Sequence, residues 1–267
     1  MSDKPTNFRF SFGGSGSTLT GTANGIGATA AASFSTQPAA QAKVIDPMAD
    51  PEKLAVVGAM VRQRLRADPG AEDLGGEKAD LFCLRGFLDR NECRRLVKLI
   101  DQKIGPSTLF EGTKIDGFRT SSTHYFNGEN PDVQMLERKI DGALGLPHSH
   151  AETTQGQRYQ AGQQFKHHHD FFYESEGYWQ DERRRGGQRT WTAMVYLNEP
   201  EEGGATDFKE LGLAIPPERG TLLVWNNMDR GGRPNQATLH AGTPVVAGSK
   251  YVITQWYRLL PWSLSLR

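Results

Sequence analysis

Apolar and polar positions change rhythm along this chain, and the change marks its organisation. Between residues 50 and 145 apolar side chains recur every three to four positions, the spacing of one helix face. Asp50 and Pro51 suit the N-cap and first turn of a helix with the stripe Leu54, Val57, Met60 and Val61, which Asp68-Pro69-Gly70 ends. A polar stretch to about Lys78 reads as a linker, and residues 81–84 (LFCL) as a first strand. A second helix starts at Asp89, with Glu92 in the capping-box position. It carries Cys93, Leu96, Val97, Ile100 and Ile104 on one face before Gly105-Pro106 ends it. A third starts near Pro131, buries Val133, Leu136, Ile140 and Leu144, and closes at Gly145. The second and third helices are expected to pack on one side of a sheet.

Beyond Glu152 the rhythm shortens. Residues 190–197 (TWTAMVYL), 221–225 (TLLVW) and 251–259 (YVITQWYRL) are rich in β-branched and aromatic side chains, with Gly and Pro pairs between them. Helices first and many strands afterwards predict an α+β domain whose sheet closes into a sandwich or barrel. Residues 1–44 are different again. Gly, Ser, Thr and Ala dominate, and such a segment buries too little surface to offset its ordering entropy. The expected division is therefore a flexible tail over 1–44, a helix and linker over 45–78, and the main domain over 79–267.

Composition mainly excludes. Thirty-one basic residues balance thirty-one acidic ones, so no global field draws the chain to nucleic acid or an anionic membrane. The basic run Arg183, Arg184 and Arg185 beside Asp181 and Glu182 reads as a solvated loop. Two cysteines, Cys83 and Cys93, are too few for a disulfide framework or a thiolate metal site, and Cys93 reads as a buried thiol. No stretch is long enough to span a bilayer, and the N-terminus lacks the apolar core of a secretory signal. Cytoplasm, a reducing compartment, is the expected location.

Candidate chemistry concentrates in residues 159–170 (YQAGQQFKHHHD). In an extended strand, side chains two apart share a face. His168 and Asp170 then lie together, with His167 and His169 turned away. One imidazole and one carboxylate are two-thirds of a 2-His-1-carboxylate triad, which holds Fe(II) with three open positions. Manganese, cobalt or zinc would also be tolerated. His240 (ATLHAGTPV) is the best third ligand. A shifted pair, His169 with His240, would leave the carboxylate unplaced. His124, His148 and His150 fall in helical or loop contexts with no matching carboxylate, and read as structural or exposed. Lys250 lies on a strand whose inward face, by parity, also carries Val252, Thr254 and Trp256. An ammonium inside an apolar barrel is costly unless an anion pairs with it, and a dicarboxylate cosubstrate would supply one. Tyr159 and Thr192 offer hydroxyls to the same carboxylate. The alternative is a lysine reaching solvent after the turn Gly248-Ser249.

These motifs resemble the prolyl 4-hydroxylase branch of the Fe(II)/2-oxoglutarate dioxygenases. The likeness runs from FRTSST (118–123), through RYQAGQQFKHHHDFF (158–172) and GGQRTWTAMVYLNEPEEGGATDF (186–208), to LHAGTPVVAGSKYVITQWYR (239–258). It implies a double-stranded β-helix (jelly roll), iron on His168, Asp170 and His240, and 2-oxoglutarate with its distal carboxylate on Lys250. It places Tyr159 and Thr192 near that carboxylate, Arg119 on the substrate side, and Trp256 in the pocket wall. It also implies L-ascorbate as reductant. Ala205 and Lys209, flanking the Thr-x-Phe element, depart from the family pattern and leave substrate choice in doubt.

The expected activity is hydroxylation of an unactivated C–H, in a prolyl residue of a protein or peptide, with release of succinate and CO2. A small molecule such as a free amino acid is the alternative substrate, and a non-catalytic 2-oxoglutarate- and iron-binding module the alternative role. A nucleic-acid demethylase is disfavoured by the charge balance and by lysine where that group uses arginine. The charged loop from Glu174 to Arg189, directly after the ligand strand, is expected to act as a lid over the substrate.

Overall fold

The chain's alternating strands sort their side chains between two cores, and that sorting builds the site. The computed structural model describes residues 46–108, 117–126 and 128–262, and the expected tail over 1–44 lies outside them. The helices among the described residues are α1 (Pro51–Ala67), α2 (Arg90–Gln102), α3 (Pro131–Leu144) and α4 (Trp179–Glu182). The first strands are β1 (Ala71–Asp73), β2 (Leu81–Leu84), β3 (Gly105–Pro106), β4 (Ser122–Tyr125), β5 (Gln155–Gln160), β6 (Phe165–His168) and β7 (Arg189–Tyr196). After them come β8 (Glu202–Gly203), β9 (Thr206–Phe208), β10 (Leu213–Ile215), β11 (Leu222–Asn226), β12 (His240–Gly242), β13 (Val245–Ala247) and β14 (Ser249–Arg258).

The major sheet runs β1-β2-β11-β7-β14-β5-β4-β3, the minor sheet β10-β9-β12-β6, and β13 pairs with β8. All pairs are antiparallel. Every residue of β7 is buried, because both faces of the major sheet are covered. Trp191, Ala193 and Val195 point to a core shared with α1, α2 and α3, which also takes Phe82, Leu222, Val224, Ile253 and Tyr257. Met194 and Tyr196 point the other way, into a core shared with Leu81, Leu223, Val252 and, from the minor sheet, Phe208. Two sheets facing each other with helices outside one of them is the jelly roll the motifs imply, and the helices do share one side.

Local signals explain the helices. The Asp50 carboxylate accepts from the N–H groups of Glu52 and Lys53 at the start of α1. Asp89 and Glu92 close a full capping box on α2. Gly145 ends α3 at φ 69°, a left-handed cap that costs glycine little. Gly156 on β5 admits α2: a Cβ there would lie 2.4 Å from Ile100 Cγ1.

Three expectations need correction. Met60 is 53 % exposed, and the buried stripe of α1 is Leu54, Gly58, Val61 and Leu65. Gly58 belongs there because Asn226 presses against the helix at that point. The stretch read as a linker carries β1, paired with β2 at the sheet edge. His124 is on β4 rather than in a helix or loop.

Candidate active site

His168 ends β6 and His240 opens β12, and the register pairs them directly across the minor sheet. Each ring is fixed by the backbone two residues before it. Nδ1 of His168 donates to the Lys166 carbonyl at 2.8 Å, and Nδ1 of His240 to the Thr238 carbonyl at 2.9 Å. A carbonyl can only accept, so the proton sits on Nδ1 and leaves the Nε2 lone pair free to ligate. Both Nε2 atoms face Asp170, 3.8 Å from Oδ1 and Oδ2 respectively. One donor atom from each residue lies within 4.8 Å of the others, so a single metal ion can be shared. Burial pushes the His168 imidazolium down to about 3, helped by His240 and opposed by Asp170, which keeps the ring neutral. Burial raises the pKa of Asp170, but the imidazoles of His240 and His168 and the Arg189 guanidinium outweigh it and keep the carboxyl below its ordinary range. Neutral imidazoles and a carboxylate are the donor set that suits iron.

Aromatic walls hold these ligands. Phe165 stacks on His168 with centroids 3.6 Å apart, and Phe208 and Trp225 flank His240 at 5.5 and 4.8 Å. Strand parity turns the neighbouring histidines away as expected. His167 pairs with Asp207 at 2.6 Å, and His169 bonds the Tyr173 hydroxyl and the Gln236 carbonyl. His124 pairs its Nδ1 with the Ile100 carbonyl, and His148 with Asp141, both far in role from a metal.

Lys250 is 2 % exposed, so the solvent-reaching alternative does not hold. Val252, Thr254 and Trp256 line the same narrow cavity, as parity required. The ammonium lies 5.4 Å from the rings of both Tyr159 and Tyr196. It has no ion-pair partner among the described residues, and burial pulls its pKa down to about 7. A buried, unpaired ammonium beside a three-ligand cluster fits an anionic cosubstrate.

Thr192 is placed differently from expectation. Its hydroxyl donates to Asp170 Oδ2 at 2.8 Å and accepts from Asn227 Nδ2 at 3.0 Å. It orients the carboxylate of the cluster and does not line the Lys250 cavity. Tyr159 does line that cavity. Arg119 and Trp256 line both it and a second cavity of about 780 Å³ that opens over the cluster. Phe118, Tyr125, Phe171, Tyr173, Tyr178 and Trp262 wall the larger space.

Sequence reasoning missed one device. Four buried charged residues run along the base of the large cavity. Glu182 pairs with Arg258, Arg258 with Glu152 at 2.5 Å, and Glu152 with Arg189 at 2.6 Å. The Arg189 guanidinium lies 4.4 Å from the Trp256 ring and 4.8 Å from Phe172. Its Nη1 donates to the Asp170 carbonyl at 3.4 Å. Two arginines inside otherwise apolar strand sequences were the available signal. The loop carrying Glu182, expected to act as a lid, is seated by this chain and by buried Trp179, which packs with Phe172 and Ala49. In its basic run Arg184 is exposed, while Arg183 pairs with Asp46 and Arg185 with Glu182.

Comparison with known proteins agrees with this geometry. Residues 154–258 match the family model described as the 2OG-Fe(II) oxygenase superfamily. "Probable prolyl 4-hydroxylase 3" of Arabidopsis thaliana is 30 % identical over 215 residues, covering 72 % of this chain and 73 % of that protein. "Prolyl 4-hydroxylase 2" of the same plant is 28 % identical over 205 residues, 67 % of each. Among solved structures, the viral collagen prolyl hydroxylase of Paramecium Bursaria Chlorella virus-1, in its 2OG complex, superposes with a TM-score of 0.53 at 30 % identity. That match covers 70 % of this chain and 99 % of the viral one.

Proposed function

The chain belongs to the prolyl 4-hydroxylase family of 2OG-Fe(II) oxygenases, and from that premise we propose that His168, Asp170 and His240 hold its iron and Lys250 its 2-oxoglutarate. The protein is a 2-oxoglutarate-dependent dioxygenase. It hydroxylates prolyl residues, and the substrate we assign it is a protein or peptide presented through the large cavity. When bound, iron and 2-oxoglutarate supply the O2-dependent oxidative decarboxylation that releases succinate and CO2 and places a hydroxyl on carbon.

The chain's own residues set the conditions. His168 and His240 offer Nε2 because their Nδ1 protons are held by backbone carbonyls. Thr192 and Asn227 fix the rotamer of Asp170. Lys250 receives the distal carboxylate, with the Tyr159 ring beside it. Phe165 and Trp256 line both the cosubstrate cavity and the substrate cavity, and put apolar surface where the two meet. L-Ascorbate as reductant and a cytoplasmic location complete the reading.

The observation that carries it is the meeting of three donor atoms and an unpaired buried ammonium in one place. The test is succinate release by the iron-loaded protein against a proteome-derived peptide pool, with hydroxyproline located by mass spectrometry. His168→Ala and Asp170→Ala are expected to lose bound iron, read by elemental analysis, together with succinate release. Full iron occupancy in either variant would remove the proposed ligand set.

A further inference from the structure

Every arginine lining the large cavity has a carboxylate partner except one. Arg185 pairs with Glu182, Arg189 with Glu152, and Arg258 with both acids. Arg119 has none among the described residues. Its three bonds go to neutral oxygens: Nε to Ser121 Oγ at 3.3 Å, Nη1 to the Thr108 carbonyl at 3.2 Å, and Nη2 to Thr123 Oγ1 at 3.3 Å. Ser107 holds those two hydroxyls in turn, at 2.8 Å from Ser121 Oγ and 2.6 Å from Thr123 Oγ1. The guanidinium lies 4.9 Å from the Phe165 ring, and Phe165 itself stacks on His168. The cation is thus oriented from three sides, at a fixed place beside the metal cluster, with no counter-charge among the described residues. Among the described residues three of its five N–H groups are used, and two remain for a ligand. It sits where the two cavities meet.

The surroundings favour an anion. Asp170 apart, the large cavity is lined by four arginines and three glutamates, Glu152, Glu176 and Glu182. Glu152 and Glu182 are enclosed by Arg189, Arg258 and Arg185, which leaves Arg119 as the site for incoming negative charge. A guanidinium with a pair of N–H groups to offer matches a carboxylate in geometry as well as charge.

We propose that Arg119 recognises a carboxylate of the substrate, so that the enzyme selects prolyl peptides in which the target residue stands next to an acidic side chain or a free C-terminus. This rests on the prolyl hydroxylase reading and adds a substrate class to it. Binding and turnover are measured separately with the iron- and 2-oxoglutarate-loaded protein kept anaerobic for the binding arm. Blocked pentapeptides carry a central proline with Glu, Gln or Lys on either side, and a second pair ends in proline with a free or an amidated C-terminus.

The Glu peptides, or the free-acid peptide, are expected to bind about tenfold or more tightly than their neutral counterparts, with the difference shrinking at high salt. Which pair shows the preference identifies the source of the carboxylate. Arg119→Gln is expected to erase it in peptide Kd and KM, and Arg119→Lys to keep part of it. Equal binding of the Glu, Gln and Lys peptides, with no preference for the free acid, would overturn the proposal. So would a loss in Arg119→Gln that falls on the Kd of 2-oxoglutarate instead of peptide. Preference without hydroxylation would overturn the prolyl reading and leave the carboxylate site standing. Hydroxylation without preference would do the reverse.

Discussion

At the scale of single residues, the informative groups are those whose partners restrict them. Thr192 gives its proton to Asp170 and takes one from Asn227, so its hydroxyl has a fixed direction. Thr192→Val keeps the shape but removes the bond. It is expected to weaken metal binding by roughly 10- to 100-fold with little change in fold, checked by competition with a metal indicator. Lys250 gives a pH prediction. Burial pulls its pKa down to about 7, from an ordinary value of 10.5. The dianion binds the ammonium form, so 2-oxoglutarate affinity is expected to be flat below pH 7. Above pH 7 it should fall by about tenfold per pH unit, because a proton must be taken up on binding. Calorimetry in buffers of different ionisation enthalpy reads that uptake, and a Kd unchanged to pH 9 would contradict it. The sign for folding is opposite. The unfolded chain keeps this proton to higher pH than the folded one, so the lysine's burden on the unliganded fold is full below pH 7 and is relieved as pH rises towards 10. His168 and Asp170 were legible in the sequence because strand parity separates them from His167 and His169, and His240 because its motif follows theirs in the order the resemblance implies. The role of Thr192 was not, since parity puts a hydroxyl on the right face without saying which acceptor it meets.

At the scale of elements, β7 and β14 carry the argument. Both were recognised from their β-branched and aromatic runs, and their apolar residues divide between the two cores by parity. Their arginines, Arg189 and Arg258, are register partners. Nothing in the sequence says that Glu152, from the segment before β5, and Glu182, from the end of α4, arrive to neutralise them. That is a tertiary fact, and it also explains why the loop after β6 is seated where a solvated segment was expected. Glu182→Gln leaves Arg258 short of one buried counter-charge. It is expected to destabilise the protein by about 3–5 kcal/mol, the usual cost of breaking a buried pair from one side. Urea denaturation measures the loss, and a change under 1 kcal/mol would show that the chain of charges is only loosely held. Met60 illustrates the limit of helical periodicity. Met60 and Val61 fit the spacing equally well, and only Asn226, pressing on α1 at Gly58, decides which arc faces inward.

At the scale of the whole molecule, the jelly roll brings together residues that lie far apart in the chain. The minor sheet brings two imidazoles opposite one another, and the major sheet brings Lys250 and, through Thr192, the hold on Asp170. The order of motifs predicted this arrangement, whereas the edge strand β1 escaped prediction because a three-residue, half-polar strand has no pattern of its own. The split ownership of the site between facing sheets has a mechanical outcome. A metal ion and a keto diacid seated together act as a clasp across the sandwich, added to the apolar packing and to the Tyr196–Thr206 and Thr192–Asp170 hydrogen bonds that already join the layers. Melting temperature should therefore climb more with both ligands than the separate increments allow, each contributing RT ln(1 + [L]/Kd) on its own. A chelator should undo the gain at a stroke, and strictly additive shifts would mean that the two halves do not feel each other through the bound pair.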